Sequence, residues 1–442
     1  MTTLPDGWDT RALGDIANVV RGVTYKKSDA KSVPAPGYMP LLRATNIGSS
    51  LDLDGPMVYV PTSGVNGQQI LISGDIVLAT SSGSLSVVGK NARLLANWNG
   101  TFGAFCAVIR SGPEVDSRYL ALYLSSHPVR QRWSQAARGT NINNLKKSNL
   151  MPTPVPLPRI DEQRRIAEIL EDHLSRLDAG VFGLRETVER LRLLKISSLA
   201  HNVRSHEESE NGTLMFGDQT LALAPGWVSG HVAQAAELVE YGTSSKTHEG
   251  QLAGDVPVLR MGNVKDGRLV WGSLKYLASD SPGLQKIMLR QGDLLFNRTN
   301  SAEHVGKSAV YEGEQEAATF ASYLIRVRFR PEVDPRWASM VINSPYGRAY
   351  VTSVTSQQVG QANVNGTKLK AFPLPFPSLG EQITRIRHHA EVVDQADRLL
   401  FEVQTSAQRL QSLRQSLLHA AFSGRLTGHS TDMEMVKEMA GV

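Results

Sequence analysis

Side chains able to hydrogen-bond a base edge or a phosphate recur at matching places in the two halves of this sequence. Arg43 and Asn46 in PLLRATN (40–46) return as Arg260 and Asn263 in PVLRMGN (257–263). An arginine fork pairs with guanine and an asparagine amide with adenine, so Arg-x-x-Asn can read bases; the competing reading is a structural pair at a strand end. Lys90 and Lys307 each follow Val-Gly. Glycine there would let backbone approach a phosphate and lysine would add a point charge, and the plain alternative is a solvated lysine. Two amide-dense stretches, one with Arg138, Asn141 and Asn143 and the other with Gln361, Asn363 and Asn365, lie beside basic residues. They are either ordinary loops or contacts to base and backbone. Lys26, Lys27 and Ser82 in the N-terminal half, and Lys246, Arg298 and Asn300 in the C-terminal half, complete the candidate set for nucleic acid.

Catalytic chemistry finds no comparable support. Ser245-Lys246-Thr247 resembles the end of a phosphate-binding loop, but Glu240 and Ser245 stand where its glycines are required. His206-Glu207 lacks the second histidine of a zinc-protease helix, and Ser84 to Gly89 does not form a nucleophile elbow. No glycine-rich cofactor loop follows a strand, and no Asn-Pro-Pro or Asp-Pro-Pro precedes an aromatic residue. Asp75 and Asp293 each follow a glycine and precede an apolar run, which suits a side chain capping a turn where a strand begins. One carboxylate per half is a poor metal site, and the single cysteine, Cys106, allows neither an internal disulfide nor a cysteine-based metal cluster. The expectation is a chain that binds and does not catalyse, with no metal.

The elements that must hold these residues form a duplication. SGDIVLAT (73–80) corresponds to QGDLLFNR (291–298), a shift of 218 residues. Pro5-Asp6-Gly7-Trp8 corresponds to Ala224-Pro225-Gly226-Trp227, and Pro113-Glu114-Val115-Asp116 to Pro331-Glu332-Val333-Asp334. Short apolar runs punctuated by Gly, Asn, Ser and Pro predict strands at Ile76 to Ala79, Phe105 to Ile109 and Leu324 to Phe329, with helical pieces at Ser117 to Ser125 and Arg336 to Ile342. Each copy is then a mixed α+β domain of one frame with different loops. A proline run and Glu-Gln (PVPLPRIDEQ, 154–163; PLPFPSLGEQ, 373–382) lead into a long helix in each copy, the prolines reading as stiff connectors.

Both helices carry an apolar stripe in alternating steps of four and three, the spacing of a coiled-coil seam. In the first, Leu170, Leu177, Leu184 and Leu191 lie on it, and in the second Val393, Leu400, Val403, Leu410 and Leu417. The boundaries that follow are a domain over 1–158, a helix over 159–204, a polar linker over 205–224, a second domain over 225–379, a second helix over 380–424 and a tail over 425–442. A helix of this length spans about 65 Å at ~1.5 Å per residue, enough to hold two domains over successive grooves of a duplex.

Charge follows the same division. Residues 1–158 hold 15 Lys and Arg against 9 Asp and Glu, residues 225–379 hold 16 against 13, and the remainder holds 16 against 20. Basic domains joined by mildly acidic helices fit a polyanion held by the domains. No run of eighteen apolar residues and no secretion signal is present, so a cytoplasmic protein is expected.

PLPRIDEQRRIAEIL (156–170), GDIVLAT (74–80), GDLLFNR (292–298) and AAFSGRL (420–426) together resemble the DNA-specificity subunits of type I restriction-modification enzymes, along essentially the whole chain. Ser378-Leu379-Gly380 in place of Arg159-Ile160-Asp161 is the one visible departure. The resemblance implies two target recognition domains, each reading half of a split double-stranded DNA sequence, and two long helices paired antiparallel as a spacer. It further implies that two methyltransferase subunits dock on the chain, that restriction and translocase subunits join them, and that S-adenosylmethionine, ATP and Mg belong to those partners. The alternatives are a specificity chain of another restriction or phage-defence methyltransferase and, in a different class, a non-catalytic coiled-coil scaffold.

Overall fold

The computed structural model describes residues 4–138, 143–204, 212–315, 317–358 and 361–426, and for Ser356, Gln357, Gln358 and Gln361 the backbone alone. The chain forms two compact units, Met1–Arg185 with Gln404–Val442, and Glu186–Val403. Each therefore combines one globular domain with the start of one long helix and the end of the other.

At the centre of the first domain is a four-stranded antiparallel sheet in the order Ala17–Arg21, Cys106–Ser111, Ile76–Ala79, Asn91–Arg93. Ile76 and Leu78 face a core shared with helices Ser117–Leu124 and His127–Ala136. Val77 and Ala79 face a second core with Leu42 and Phe102 of a three-stranded sheet. A sheet covered on both faces explains an uninterrupted apolar run where a half-exposed strand would alternate. The second domain repeats the arrangement with Ala236–Tyr241, Leu324–Phe329, Leu294–Asn297 and Ser308–Val310, and with helices Pro335–Asn343 and Pro345–Val354. Asp116 and Asp334 cap the first helix of each pair through Arg118 N–H and Arg336 N–H, both at 2.9 Å.

The proline runs are strands, not connectors. Pro154–Leu157 pairs antiparallel with Asp9–Ala12, and Pro373–Phe376 with Val228–His231. Prolines at alternate positions put every missing N–H on one side, so the ladder forms on the other. Carbonyls of these strands are taken by helix side chains: Tyr119 Oη donates to Pro156 O (2.7 Å) and Trp337 Nε1 to Pro375 O (2.9 Å). The end of the expected linker also folds: Thr213–Phe216 and Gln219–Ala222 form a hairpin whose Leu214, Phe216 and Leu221 enter the core of the second domain.

The long helices run Ile160–Val203 and Leu379–Phe422. Leu379 stands where Ile160 stands, so the departure in sequence before Glu-Gln leaves the helix start unchanged. Each Glu-Gln pair ties its helix to its domain. Gln163 is fully buried; its Oε1 accepts Asp116 N–H (2.9 Å) and its Nε2 donates to Glu114 O (3.1 Å) and Pro158 O (2.8 Å). Gln382 does the same with Asp334 N–H (2.9 Å), Glu332 O and Pro377 O (3.0 Å each). Trp8 Nε1 donates to Glu162 (3.2 Å) and Trp227 Nε1 to Glu381 (3.1 Å). The AAFSGRL segment closes the first unit, with Phe422 edge-on to Tyr119 and Tyr123 at 5.3 and 5.0 Å and Leu426 buried in its core.

Within each unit the helices are antiparallel. Asp178 meets Arg414 (2.6 Å) in the first unit; in the second, Lys195 meets Asp397, Ser198 meets His389 (2.9 Å) and Asn202 meets His388 (3.0 Å), so one helix retreats as the other advances. The stripes are covered unevenly. Leu170, Leu191 and Leu417 are buried, whereas Leu177, Leu184, Val393, Leu400, Val403 and Leu410 are half-buried. Two helices cover one side of a seam only, so full burial needs a third layer, which the first domain supplies at Leu170 and Leu417.

Candidate nucleic-acid interface

After the central strand of each domain the chain leaves the main sheet and meets the amide-rich stretch. Ser81–Ser82 pairs with Asn143–Asn144 in the first domain. Thr299–Asn300 pairs with Gln361–Asn363, which pairs in turn with Ser356–Gln358, in the second. Residues about sixty apart in sequence thus form one small polar sheet per domain. Asn143 Nδ2 donates to Gly83 O (3.2 Å), and Asn363 Nδ2 to Thr299 Oγ1 (2.9 Å). Ser82 is brought to Asn143 in the first domain, and Asn300 to Gln361 and Asn363 in the second; Asn141 lies outside the described residues. Arg298 joins the second group, since its carbonyl accepts Val364 N–H (2.9 Å).

The strands leading to these sheets are anchored by buried charge. Asp75 caps its turn as expected, accepting Ile72 N–H at 3.0 Å, and also takes Arg110 through Nε and Nη2, both at 2.8 Å. That pairing holds the Arg110 guanidinium above its ordinary pKa. Asp293 accepts Arg290 N–H (2.9 Å) and binds Arg328 at 2.8 and 2.9 Å and Arg326 at 3.3 Å. The arginine partners, 35 and 33 residues away in sequence, were not anticipated.

Other candidates are committed to the fold. Asn46 is buried, accepting Arg43 N–H (3.0 Å), and Asn263 accepts Arg260 N–H (2.9 Å) while donating to Val270 O (2.8 Å) and Gly272 O (3.0 Å). These amides close the turn after the strand and leave no edge for a base, so the structural reading of Arg-x-x-Asn holds for the asparagines. Arg43 is exposed and Arg260 half-buried. Asn365 caps the helix Gly366–Lys370 through Lys368 N–H (2.9 Å).

Gly89 and Gly306 both have φ near +80°. A Cβ at Gly306 would come within 2.6 Å of Val351, and one at Gly89 within 3.2 Å of Arg130 and Trp133. At both positions the turn needs the positive φ, and the helix behind it leaves little room for a side chain. Arg130 and Arg348 hold the same loops from those helices, donating to Ser86 O (3.0 Å) and Glu303 O (3.3 Å), and burial lowers the pKa of both. Lys90 is exposed, whereas Lys307 faces Asp266 at 3.8 Å. Lys26, Lys27, Arg138 and Lys246 are exposed. Burial pushes the Cys106 thiol up to about 12, which keeps it unreactive.

Residues 5–189 match the family model of the type I restriction modification DNA specificity domain. Over 426 residues the chain is 30% identical to the type I restriction enzyme StySPI specificity subunit of Salmonella potsdam, covering 96% of this chain and 90% of that protein. It is likewise 30% identical over 428 residues to the EcoKI specificity subunit of Escherichia coli, with the same coverage. The chain belongs to the type I restriction enzyme specificity subunits. Its fold is shared with a chain solved to show the structural basis underlying complex assembly and conformational transition of the type I R-M system, at a TM-score of 0.71 and 20% identity over 96% of this chain and all of that one. It is shared also with the HsdS subunit from Thermoanaerobacter tengcongensis, at 0.51 and 18% over 96% and 98%. The family supplies DNA specificity to type I restriction-modification systems, acting with modification and restriction subunits. Among the described residues, no helix is long and apolar enough to cross a membrane.

Proposed function

We propose that this specificity subunit reads a bipartite, asymmetric DNA target, one half in each globular domain, and directs methyltransferase and restriction subunits to it while catalysing neither reaction. One observation carries the reading. Two copies of a frame, alike down to the glutamine that ties each to its helix, differ at the small polar sheet where strand and amide-rich segment meet. A shared frame with divergent polar surfaces is what two different half-sites require. Because the tie between domain and helix occurs twice, two methyltransferase subunits per chain are expected, bringing S-adenosylmethionine; ATP and Mg serve the restriction subunits. Acting on chromosomal DNA places the assembly in the cytoplasm.

The test is co-expression with the methyltransferase subunit, followed by mass measurement of the complex and mapping of methylated sites. A two-to-one complex should methylate one adenine in each half-site, and DNA binding should weaken steeply with salt. Exchanging residues 1–158 for those of a relative should change one half-site only. Methylation by the chain alone, or an exchange that leaves both halves unchanged, sinks the proposal.

A further inference from the structure

In the second domain Arg298 and Arg326 each lie over an aromatic ring with a buried, unpartnered Nε, but Arg326 also meets carboxylates, and Arg298 meets none among the described residues. Arg328 is spent on Asp293, Arg326 on Asp293 and Glu240, Arg336 on Asp334, Arg268 on Asp394 and Asp397, and Arg348 on loop carbonyls. Arg298 lies over the Tyr241 ring, 4.8 Å from its centroid. Its Nε is buried and finds no hydrogen-bond partner among the described residues. A guanidinium so placed is incomplete, because an unpaired buried donor costs free energy that a ligand's acceptors can offset.

The placement is also rigid. Arg298 N–H donates to Tyr323 O (3.1 Å) and Arg298 O accepts Val364 N–H (2.9 Å), so the backbone is held on both sides. The Tyr241 ring is held in turn, its Oη accepting Gly366 N–H at 2.8 Å. Held over the ring, the guanidinium keeps a fixed place, and its N–H donors lie in its own plane, the geometry of bidentate pairing to a planar acceptor pair. Asn300, two residues on, and Asn363, opposite Thr299, belong to the polar sheet that Arg298 leads into.

Phosphate and a guanine edge both offer such acceptors, and the comparison of the two domains separates them. The sheet registers set Arg21 opposite Ala107 and Tyr241 opposite Ile325, and Ala79 opposite Cys106 and Asn297 opposite Leu324. In the first domain, then, Arg21 takes the place of Tyr241 and Thr80 that of Arg298. A clamp on DNA backbone common to both half-sites would recur in both domains, whereas a reader of one base belongs to one. The geometry points to Arg298, held over Tyr241, as the residue that reads a guanine in the half-site of the second domain. This rests on the function proposed above and adds to it the residue and the base.

The test uses the full chain with its methyltransferase subunit and a DNA library randomised across both half-sites, read by methylation at each sequence. In Arg298→Ala and Arg298→Gln, preference for G·C at one position of the second half-site should fall about tenfold to a hundredfold, with the first half-site unchanged. Tyr241→Ala should loosen the same position, and Tyr241→Phe, which keeps the ring, should hold it within about threefold of wild type. A uniform loss over all sequences with a salt slope reduced by about one would mark a phosphate contact and overturn the inference. So would an unchanged base profile in Arg298→Gln, which decides alone if Arg298→Ala does not assemble. A wild-type complex without a bipartite preference would instead overturn the underlying function, and this assignment with it.

Discussion

The two domains solve one packing position in opposite ways. Val20 faces Val108 across the first sheet, and the registers place Glu240 and Arg326 at the same two positions of the second. Arg326 is 2% exposed and bonds Glu240, Asp293 and the carbonyls of Met288 (2.7 Å) and Lys286 (2.9 Å). Desolvating such a charge offsets most of its Coulombic gain, while removing one partner leaves a charge uncompensated. The double change Glu240→Val with Arg326→Val, which copies the first domain, should be neutral to about 4 kcal/mol stabilising. Arg326 retained beside Glu240→Val should cost about 1 to 3 kcal/mol, since Asp293 and the two carbonyls still hold the guanidinium. Chemical denaturation of the three proteins decides this, and a double variant weaker than the single one would refute it. The sequence shows Glu240 and Arg326 as scattered charges, because only strand register makes them neighbours. Asp75 and Asp293 were legible as turn caps because the glycine before them is local; their arginines were not, for the same reason as Arg326.

At the scale of elements, the Glu-Gln pairs were visible as punctuation and their work was not. Gln163 uses its oxygen as acceptor and its nitrogen as donor at once, with no exposure to water. Gln163→Ala leaves one buried N–H and two carbonyls unpaired, for a cost of about 2 to 4 kcal/mol at roughly 1 kcal/mol or more each. Gln163→Glu should be worse, since it sets a carboxylate against two carbonyl oxygens. Equal melting temperatures for the two variants would mean that the amide donor does not matter.

The helix pair offers a pH test. His389, bonded to Ser198 at 2.9 Å, has its pKa lowered from 6.5 to about 4, chiefly by burial and further by His388, Arg268 and Lys195. The folded state therefore holds His389 neutral, and the unfolded chain takes up the proton first. Stability should fall as pH drops from about 6.5 towards 4, and His389→Gln should flatten that part of the profile relative to wild type. Parallel profiles across this window would refute the assignment. The stripes themselves were legible as a seam; that Leu177 and Leu184 are only half-buried was not, because periodicity gives a direction and says nothing of what covers it.

For the whole molecule, the duplication was written in the landmarks, while the division of the chain was hidden. Each compact unit takes pieces from both halves: the first needs Leu417, Leu418, Ala421 and Leu426 from the far end of the chain, and the second takes Val203 from the helix that follows the first domain. Sequence could not show this, because it depends on the direction in which the two helices pair. The clue was AAFSGRL, a specific motif after the last stripe residue with no partner nearby. If the units are built this way, cutting between them in sequence does not separate them in space. Fragments 1–204 and 212–442, produced together, should associate one to one through both units and carry a tag on either fragment through purification. Each alone leaves core positions such as Leu170 or Phe372 beside a missing neighbour, and should aggregate or associate with itself. Two fragments that purify apart as folded monomers, each melting like the intact chain, would show that the domains do not depend on the helix ends supplied by the other half.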